Sequence, residues 1–231
     1  MKAPVALAVL VLQVLILAGR ASAQADLFSV SLELQTNATC IGQPLRVWAD
    51  ITYNGDKTLR VYDPIYGRGY EERVAISRGS EESYKPYYTA AELVAARQDR
   101  GGAPKQVVFE PGQSLRREYR LWCWNHPEAG RSWLIFPSPG VYKIRFQVIH
   151  LNQVYSAITT NDVVLPSSET DIEAWGLIGD DTTAYFMQNG QAPRGQESRN
   201  GEIVTRLRRL ATEHPSSSYV QYLSGPTPGT E

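Results

Sequence analysis

The segment Tyr142-Lys143-Ile144-Arg145-Phe146-Gln147-Val148 alternates strictly between apolar and polar side chains. Successive side chains of a strand point to opposite faces of a sheet, so this alternation predicts a strand with one buried and one solvated face. The turn-forming residues Pro137-Ser138-Pro139-Gly140 come shortly before it. The segment therefore predicts a β-rich fold.

The same period of two recurs nearer the N-terminus. Residues 28–34 and 45–53 both carry apolar side chains at alternate positions. Asn54-Gly55-Asp56 follows the second of these segments, and Asn-Gly is a strong signal for a tight hairpin. Residues 58–62 are therefore predicted to return as a strand that pairs antiparallel with residues 45–53.

Further short strands separated by turn residues are predicted along the chain, at residues 73–77, 106–109, 115–122, 154–158 and 162–165. Many short strands at this spacing are typical of an antiparallel β-sandwich. We predict a mainly β sandwich domain over residues 24–166, interrupted by a long insertion over residues 63–104. Long loops of this kind often carry function.

The pattern changes after residue 166. Apolar residues recur at helical spacing over residues 169–178, 182–188 and 203–211. We predict a small helical appendage over residues 167–224, followed by a flexible tail over residues 225–231. Helices this short are not stable alone, so they must pack against the sandwich or against a partner.

Residues 1–23 have the pattern of a signal peptide. An apolar run over residues 5–17 is followed by Ala21-Ser22-Ala23, which matches the small-residue cleavage pattern. The sequence contains no second apolar run long enough for a membrane span. We therefore expect a secreted or periplasmic protein that begins at Gln24 and does not insert into a membrane after cleavage.

The charge balance bears on possible partners. The chain has 23 basic and 24 acidic side chains and a net charge of −1. Removing Lys2 and Arg20 with the signal peptide lowers the net charge to −3. Binding to a phosphate backbone requires an excess of basic side chains, so nucleic acid is not an expected partner.

The chain contains two cysteines, Cys40 and Cys123. In an oxidising compartment an even number of cysteines usually pairs. A disulfide between Cys40 and Cys123 is therefore predicted, although the sequence alone does not bring their Cα atoms within bonding range.

Catalytic and metal-binding patterns are missing from the sequence. Cys123 and His126 are a conceivable nucleophile and base, but their spacing at a strand end rarely produces contact, and a disulfide would remove the thiol. The three histidines, His126, His150 and His214, are dispersed, and no phosphate-binding loop or metalloprotease motif is present. We expect no catalytic residues, no metal and no cofactor.

Aromatic residues are the remaining candidates for a binding site. Alternation along the strands places Trp48 and Trp122 on outward faces, where they would offer a stacking surface for a sugar ring or a protein. The alternative is that the C-terminal helices or the insertion simply cover these rings. The ligand-binding residues predicted from the insertion and the neighbouring strand edge are Tyr66, Tyr70, Tyr87, Tyr88, Trp122 and Trp124.

Two segments resemble bacterial secreted sandwich domains of the immunoglobulin-like and fibronectin-like type. Residues 42–47 followed by Asn54-Gly55-Asp56 resemble the opening strands of such domains, and residues 136–146 resemble the penultimate strand. Residues 214–220 are similar to a helix junction of tetratricopeptide-type pairs. The resemblance implies an immunoglobulin-like sandwich with a helical tail, an architecture that hosts unrelated activities.

Three functions remain open from the sequence. The first is a secreted or periplasmic non-enzymatic binding protein with a protein or glycan ligand. The second is a structural component of an envelope assembly, docked through its C-terminal helices. The third is a hydrolase whose site is assembled from scattered residues, for which the sequence offers no recognisable pair.

Overall fold

The computed structural model of the chain describes residues 26–62, 70–80, 83–88, 106–124 and 132–223. The predicted signal peptide, most of the 63–104 insertion and the predicted 225–231 tail lie outside these ranges.

The described residues form ten strands followed by three α-helices, so the chain is mainly β with helices near its C-terminus, as predicted. The strands are β1 (Phe28–Leu34), β2 (Ala38–Cys40), β3 (Leu45–Tyr53), β4 (Leu59–Tyr62), β5 (Tyr70–Arg78), β6 (Lys85–Tyr87), β7 (Gln106–Phe109), β8 (Ser114–Leu121), β9 (Gly140–His150) and β10 (Gln153–Val164). The helices are α1 (Glu169–Ile178), α2 (Asp181–Asn189) and α3 (Asn200–Glu213), and short 3₁₀ turns lie at Glu197–Arg199 and Val220–Tyr222.

The strands form three sheets. Their orders are β1-β3-β8, β2-β10-β9-β5-β6 and β4-β7. The prediction of antiparallel pairing is correct for all these neighbours except β2 and β10, which run parallel. The exception is small, because β2 adds only three residues at the edge of its sheet.

The predicted hairpin at Asn54-Gly55-Asp56 is wrong. β4 pairs with β7 and not with β3, because β1 and β8 occupy both edges of β3. The turn instead carries the chain into a different sheet. Its backbone is tied to the start of β1, since the Asn54 amide donates a hydrogen bond to the Leu27 carbonyl at 2.9 Å.

The two larger sheets share one apolar core. Alternate residues of β3 and β9 are buried in it, and the polar residues between them are more exposed. The alternation of residues 142–148 is therefore reproduced as an inward and an outward face. Each fully buried aliphatic or aromatic side chain contributes about 2 kcal/mol through the hydrophobic effect.

A partly buried ion pair joins the two sheets. Arg117 on β8 donates two hydrogen bonds to the carboxylate of Glu72 on β5, at 2.9 and 3.0 Å. The Tyr70 hydroxyl donates a third to the same carboxylate at 3.0 Å. Glu72 is buried, and a buried carboxylate is tolerated only when its oxygens are paired in this way.

The C-terminal helices cover one end of the sheets. A second buried cluster contains Trp122, Leu134, Ala174 of α1, Ala184 of α2 and Leu210 of α3. The apolar faces predicted for these helices therefore pack inside the protein, against residues that follow β8.

The segment after α3 returns to the beginning of the fold. The Tyr219 ring stacks on Trp175 of α1 with centroids 5.8 Å apart, and its hydroxyl donates to the Ile41 carbonyl at 2.8 Å. Gln43 donates to the Ser218 hydroxyl at 2.8 Å. These contacts tie the last described turn to the loop between β2 and β3.

Asp180 begins α2 and connects it to α3. Its carboxylate accepts hydrogen bonds from the amides of Thr182 and Thr183, both at 3.0 Å, and from Arg206 at 2.6 Å. Burial by itself would raise the pKa of Asp180, but the hydrogen bonds from Thr183 and the charges of Arg199 and Arg206 outweigh it and hold the pKa below its ordinary value.

We expect the charge of Asp180 to make folding depend on pH. Because its folded pKa is lowered, the ionised carboxylate stabilises the fold above the ordinary value of 3.8, and this stabilisation is lost as the pH falls through the folded pKa. Asp180→Asn keeps a side chain that caps a helix, so it is expected to cost about 1 kcal/mol near pH 7 and less near pH 2. Urea unfolding at both pH values measures the difference.

The exposed Asp162 of β10 supplies the matched control. Asp162→Asn should lower the free energy of unfolding equally little at both pH values. Parallel pH profiles for the wild type and Asp180→Asn would contradict the role given to the Asp180 carboxylate.

Candidate functional site

Trp122 does not face outward as predicted. Its side chain is 1% exposed, and its indole N–H donates to the Gly42 carbonyl at 2.8 Å. Leu121, Trp122 and Cys123 are all buried, so the alternation of β8 does not continue past its last residue. The alternative prediction, that the C-terminal helices cover this ring, is correct.

Tyr70 and Tyr88, two further predicted binding residues, differ in exposure. Tyr70 is buried between the sheets, with its ring 5.8 Å from that of Phe28. Tyr88 is half exposed. Tyr66 lies outside the described residues. Tyr70 is therefore a core residue that holds Glu72, and the surface location expected for it is wrong.

Trp48 lies on the polar side of β3, as the alternation predicts, and is partly buried. The guanidinium of Arg116 on β8 lies over its ring, 5.3 Å from the centroid. One side of this indole is therefore already occupied by a cation–π contact within the chain.

Cys40 and Cys123 are both free thiols, so the predicted disulfide is not formed. An even cysteine count in an exported chain favours pairing but does not fix the geometry that a bridge requires. Cys123 is fully buried beside Leu134, whereas Cys40 ends β2 and is partly exposed. Burial raises the pKa of both thiols, with the negative charge of Asp171 adding for Cys40 and that of Asp181 for Cys123, which keeps the thiols protonated.

Two predicted site residues, Tyr87 and Trp124, do come together. Their ring centroids are 6.2 Å apart, and the Tyr87 hydroxyl donates to the Arg120 carbonyl at 3.2 Å. Trp124 is partly exposed and lines a cleft of about 250 Å³. We refer to this as the Trp124 cleft; its lining residues are Ile76, Ser77, Arg78, Ser83, Lys85, Trp124, Ser132, Leu134, Ile135, Pro137 and Tyr142.

One wall of the cleft comes from the ends of β5, β6 and β9. Ile76 lies opposite Lys85 in the register of β5 and β6, and Arg78 lies opposite Tyr142 in the register of β5 and β9. Ile76 and Arg78 are two positions apart and so lie on the same face of β5. The Tyr142 hydroxyl donates to the Ser138 carbonyl at 2.9 Å, which fixes this ring at the base of the wall.

The other wall is a short antiparallel ladder formed by residues 122–124 and 133–135. The Trp124 amide donates to the Trp133 carbonyl at 2.8 Å, and the Ile135 amide donates to the Trp122 carbonyl at 3.0 Å. These backbone hydrogen bonds hold Trp124 beside the end of the larger sheet.

The strand β6 is anchored on both of its faces. On one face Tyr84, just before the strand, lies against Arg145 of β9, with the guanidinium 3.9 Å from the ring centroid. On the other face Tyr87 is buried beside Trp124. Lys85 shares the Tyr87 face, because the two residues are two positions apart. The strand therefore presents Lys85 to the cleft from a fixed backbone.

The cleft has an apolar interior and a positive rim. Arg78 and Lys85 are the charged side chains among its described lining residues, and neither pairs with a carboxylate in the described ranges. At the edge of the cleft, the Ser132 hydroxyl donates a hydrogen bond to the Asp181 carboxylate at 2.6 Å.

Sequence reasoning identified Tyr87 and Trp124 but missed Arg78 and Lys85. No sequence signal connects these two cations, since their proximity depends on the register of β5 with β6. His126, which the sequence analysis considered and rejected as a base for Cys123, lies outside the described residues. Within the ranges that the structure covers, no group of three or more His, Cys, Asp or Glu side chains is placed to hold a metal.

No family model matches the chain, and no curated protein matches it significantly. Solved structures that are similar include a CARDB domain from Pyrococcus furiosus, which is 13% identical over 61% of this chain and 96% of that one, with a TM-score of 0.35. The sporulation control protein Spo0M from Bacillus subtilis is 10% identical over 66% and 54%, with a TM-score of 0.34.

A β-glucosidase from Erythrobacter marinus is 13% identical over 59% of this chain but only 15% of its own length, with a TM-score of 0.33. Similarities this distant assign no activity. In the described part of the chain, no helix has the length and apolar character needed to span a membrane.

Proposed function

We propose that this chain is an exported, non-enzymatic binding protein built on an immunoglobulin-like sandwich, and that the Trp124 cleft is its binding site. The observation that carries the proposal is a partly exposed indole at a concave site with an apolar wall and a few polar groups. Binding sites for small ligands typically have this composition. Export is inferred from the signal-peptide pattern of residues 1–23.

The chemistry of the lining supports binding over turnover. Nucleophilic catalysis requires an activated nucleophile beside a base. The neighbouring thiol of Cys123 is fully buried, and burial raises its pKa, so this thiol is not an activated nucleophile. The proposal therefore assigns the lining residues to contact with a ligand.

The alternative of docking through the C-terminal helices has less support. The apolar residues of α1, α2 and α3 already pack against Trp122 and Leu134. A helix face that is used inside the chain is not available to a partner without first being uncovered.

The proposal is tested by a calorimetric screen of the mature chain against glycans and envelope proteins, followed by substitution of single tryptophans. Trp124→Ala should weaken a detected interaction about tenfold, because one aromatic contact is lost. Trp48→Ala, which removes an indole from the outer face of β3, should leave the same interaction unchanged. A ligand that binds Trp124→Ala as tightly as the wild type would exclude the cleft as its site.

A further inference from the structure

The charged side chains among the described lining residues of the Trp124 cleft are both cations. Arg78 and Lys85 reach it from adjacent strands, and no acidic side chain is among the described lining residues. Both side chains belong to exposed residues, and neither is paired with a carboxylate in the described ranges. Two cations beside an apolar wall, with no carboxylate partner among the described residues, attract anions more strongly than the same cations on an open surface.

The position of Arg78 is fixed by its surroundings. Its guanidinium donates one hydrogen bond to the Pro139 carbonyl at 2.9 Å and lies 6.0 Å from the centroid of the Tyr142 ring. Gly140 lies beneath it, at a position where a Cβ would be 3.6 Å from the Arg78 Nε. A guanidinium has five N–H donors, so a group held in this way retains enough donors to bind a carboxylate.

The apolar part of the cleft is small. Trp124, Leu134, Ile135 and Pro137 line it, and its volume of about 250 Å³ is just below the range typical of small-molecule sites. A space of this size suits one aromatic or branched aliphatic group rather than an extended ligand. The cations lie close enough to line the same space, so the ligand that fits both features combines a small apolar group with a nearby negative charge.

We infer that the Trp124 cleft selects small carboxylates that carry an apolar or aromatic group, with the carboxylate bound by Arg78 and Lys85 and the apolar group against Trp124. The inference rests on the proposed function, because it requires the cleft to be a binding site. The free carboxylate of an amino-acid derivative and the C-terminal carboxylate of a peptide share this chemistry.

The test compares N-acetyl-L-phenylalanine with its C-terminal amide, which has nearly the same shape but no charge. Binding to the mature chain is followed through the indole ¹H–¹⁵N resonance of Trp124, assigned by its disappearance in Trp124→Phe. The acid is expected to bind about tenfold more tightly than the amide. An acetylated tetrapeptide ending in Phe distinguishes the two sources, because only a cleft that admits a peptide end will bind it as tightly as the acid.

Substitutions of Arg78 and Lys85 test whether these two cations cause the preference for the acid over the amide. Lys85→Gln and Arg78→Gln should each weaken binding of the acid about tenfold and leave binding of the amide unchanged. Lys57→Gln and Arg208→Gln remove exposed cations from a loop and from α3 and serve as matched controls. Both controls should bind the acid as the wild type does, and near-UV circular dichroism verifies that every variant is folded.

The outcomes separate this inference from the proposed function. Equal affinity for acid and amide would overturn the selectivity for carboxylates and leave the cleft as a binding site. A Trp124 resonance that responds to none of the three probes would overturn the inference. In that case the Trp124→Ala result in the glycan and protein screen would still decide the proposed function independently.

Discussion

Trp122→Ala is expected to lower the free energy of unfolding by about 4 kcal/mol. The indole is 1% exposed and lies where the 122–124 ladder meets the C-terminal helices, so its removal leaves a cavity that several elements would have to close. The hydrogen bond to the Gly42 carbonyl is lost as well. Urea unfolding followed by far-UV circular dichroism measures the change without depending on tryptophan fluorescence.

Two variants calibrate this result. Trp122→Phe retains most of the buried ring and loses the indole donor, so it should cost about half as much. Trp48→Ala removes a partly buried indole from the outer face of β3 and should cost about 1 kcal/mol. If Trp122→Ala costs no more than Trp48→Ala, then Trp122 is not a core residue.

Gly42→Ala is expected to lower the free energy of unfolding by about 3 kcal/mol. Gly42 has a φ of +80°, which a residue with a side chain adopts only under strain. A Cβ at this position would also lie 2.0 Å from the Trp175 ring. Trp175 stacks on Tyr219, so it cannot move away without disturbing the last described turn. Equilibrium unfolding in urea again gives the difference.

Gly112→Ala separates the two causes. Gly112 has a similar φ of +75°, but a Cβ there would meet no atom within 4 Å. Only backbone strain remains, so the expected loss is about 1 kcal/mol. Equal losses in the two variants would mean that contact with Trp175 contributes nothing.

The elements of this fold could be predicted from the sequence because their patterns are local. The alternation of residues 142–148 and the helical spacing of residues 169–178 each depend on neighbours within one strand or helix. Both elements are found where they were predicted. Inward and outward faces follow directly from the same patterns.

The pairing of these elements depended on distant residues and was harder to predict. The turn at residues 54–56 has the sequence of a hairpin, yet β4 pairs with β7 because β3 is already paired on both edges. The direction of Trp122 was mispredicted because the alternation was extended past Leu121, where β8 ends. The disulfide was inferred from cysteine number, which carries no information on distance.

The sequence also predicted only some of the residues at the Trp124 cleft. Trp124 and Tyr87 were found because aromatic residues are good contact groups wherever they occur. The cations of the cleft were missed because Arg78 and Lys85 look like ordinary solvated strand ends. Only the registers of β5 with β6 and β9 place them beside one apolar space.

The hydrogen bond between Tyr219 and Ile41 joins residues that are 178 positions apart. During translation, Ile41 leaves the ribosome long before Tyr219 is synthesised, so the native fold cannot be completed on a partial chain. A chain that ends before α1 would lack the helices that cover Trp122. The complete set of native contacts therefore forms only after the chain has been synthesised as far as Tyr219.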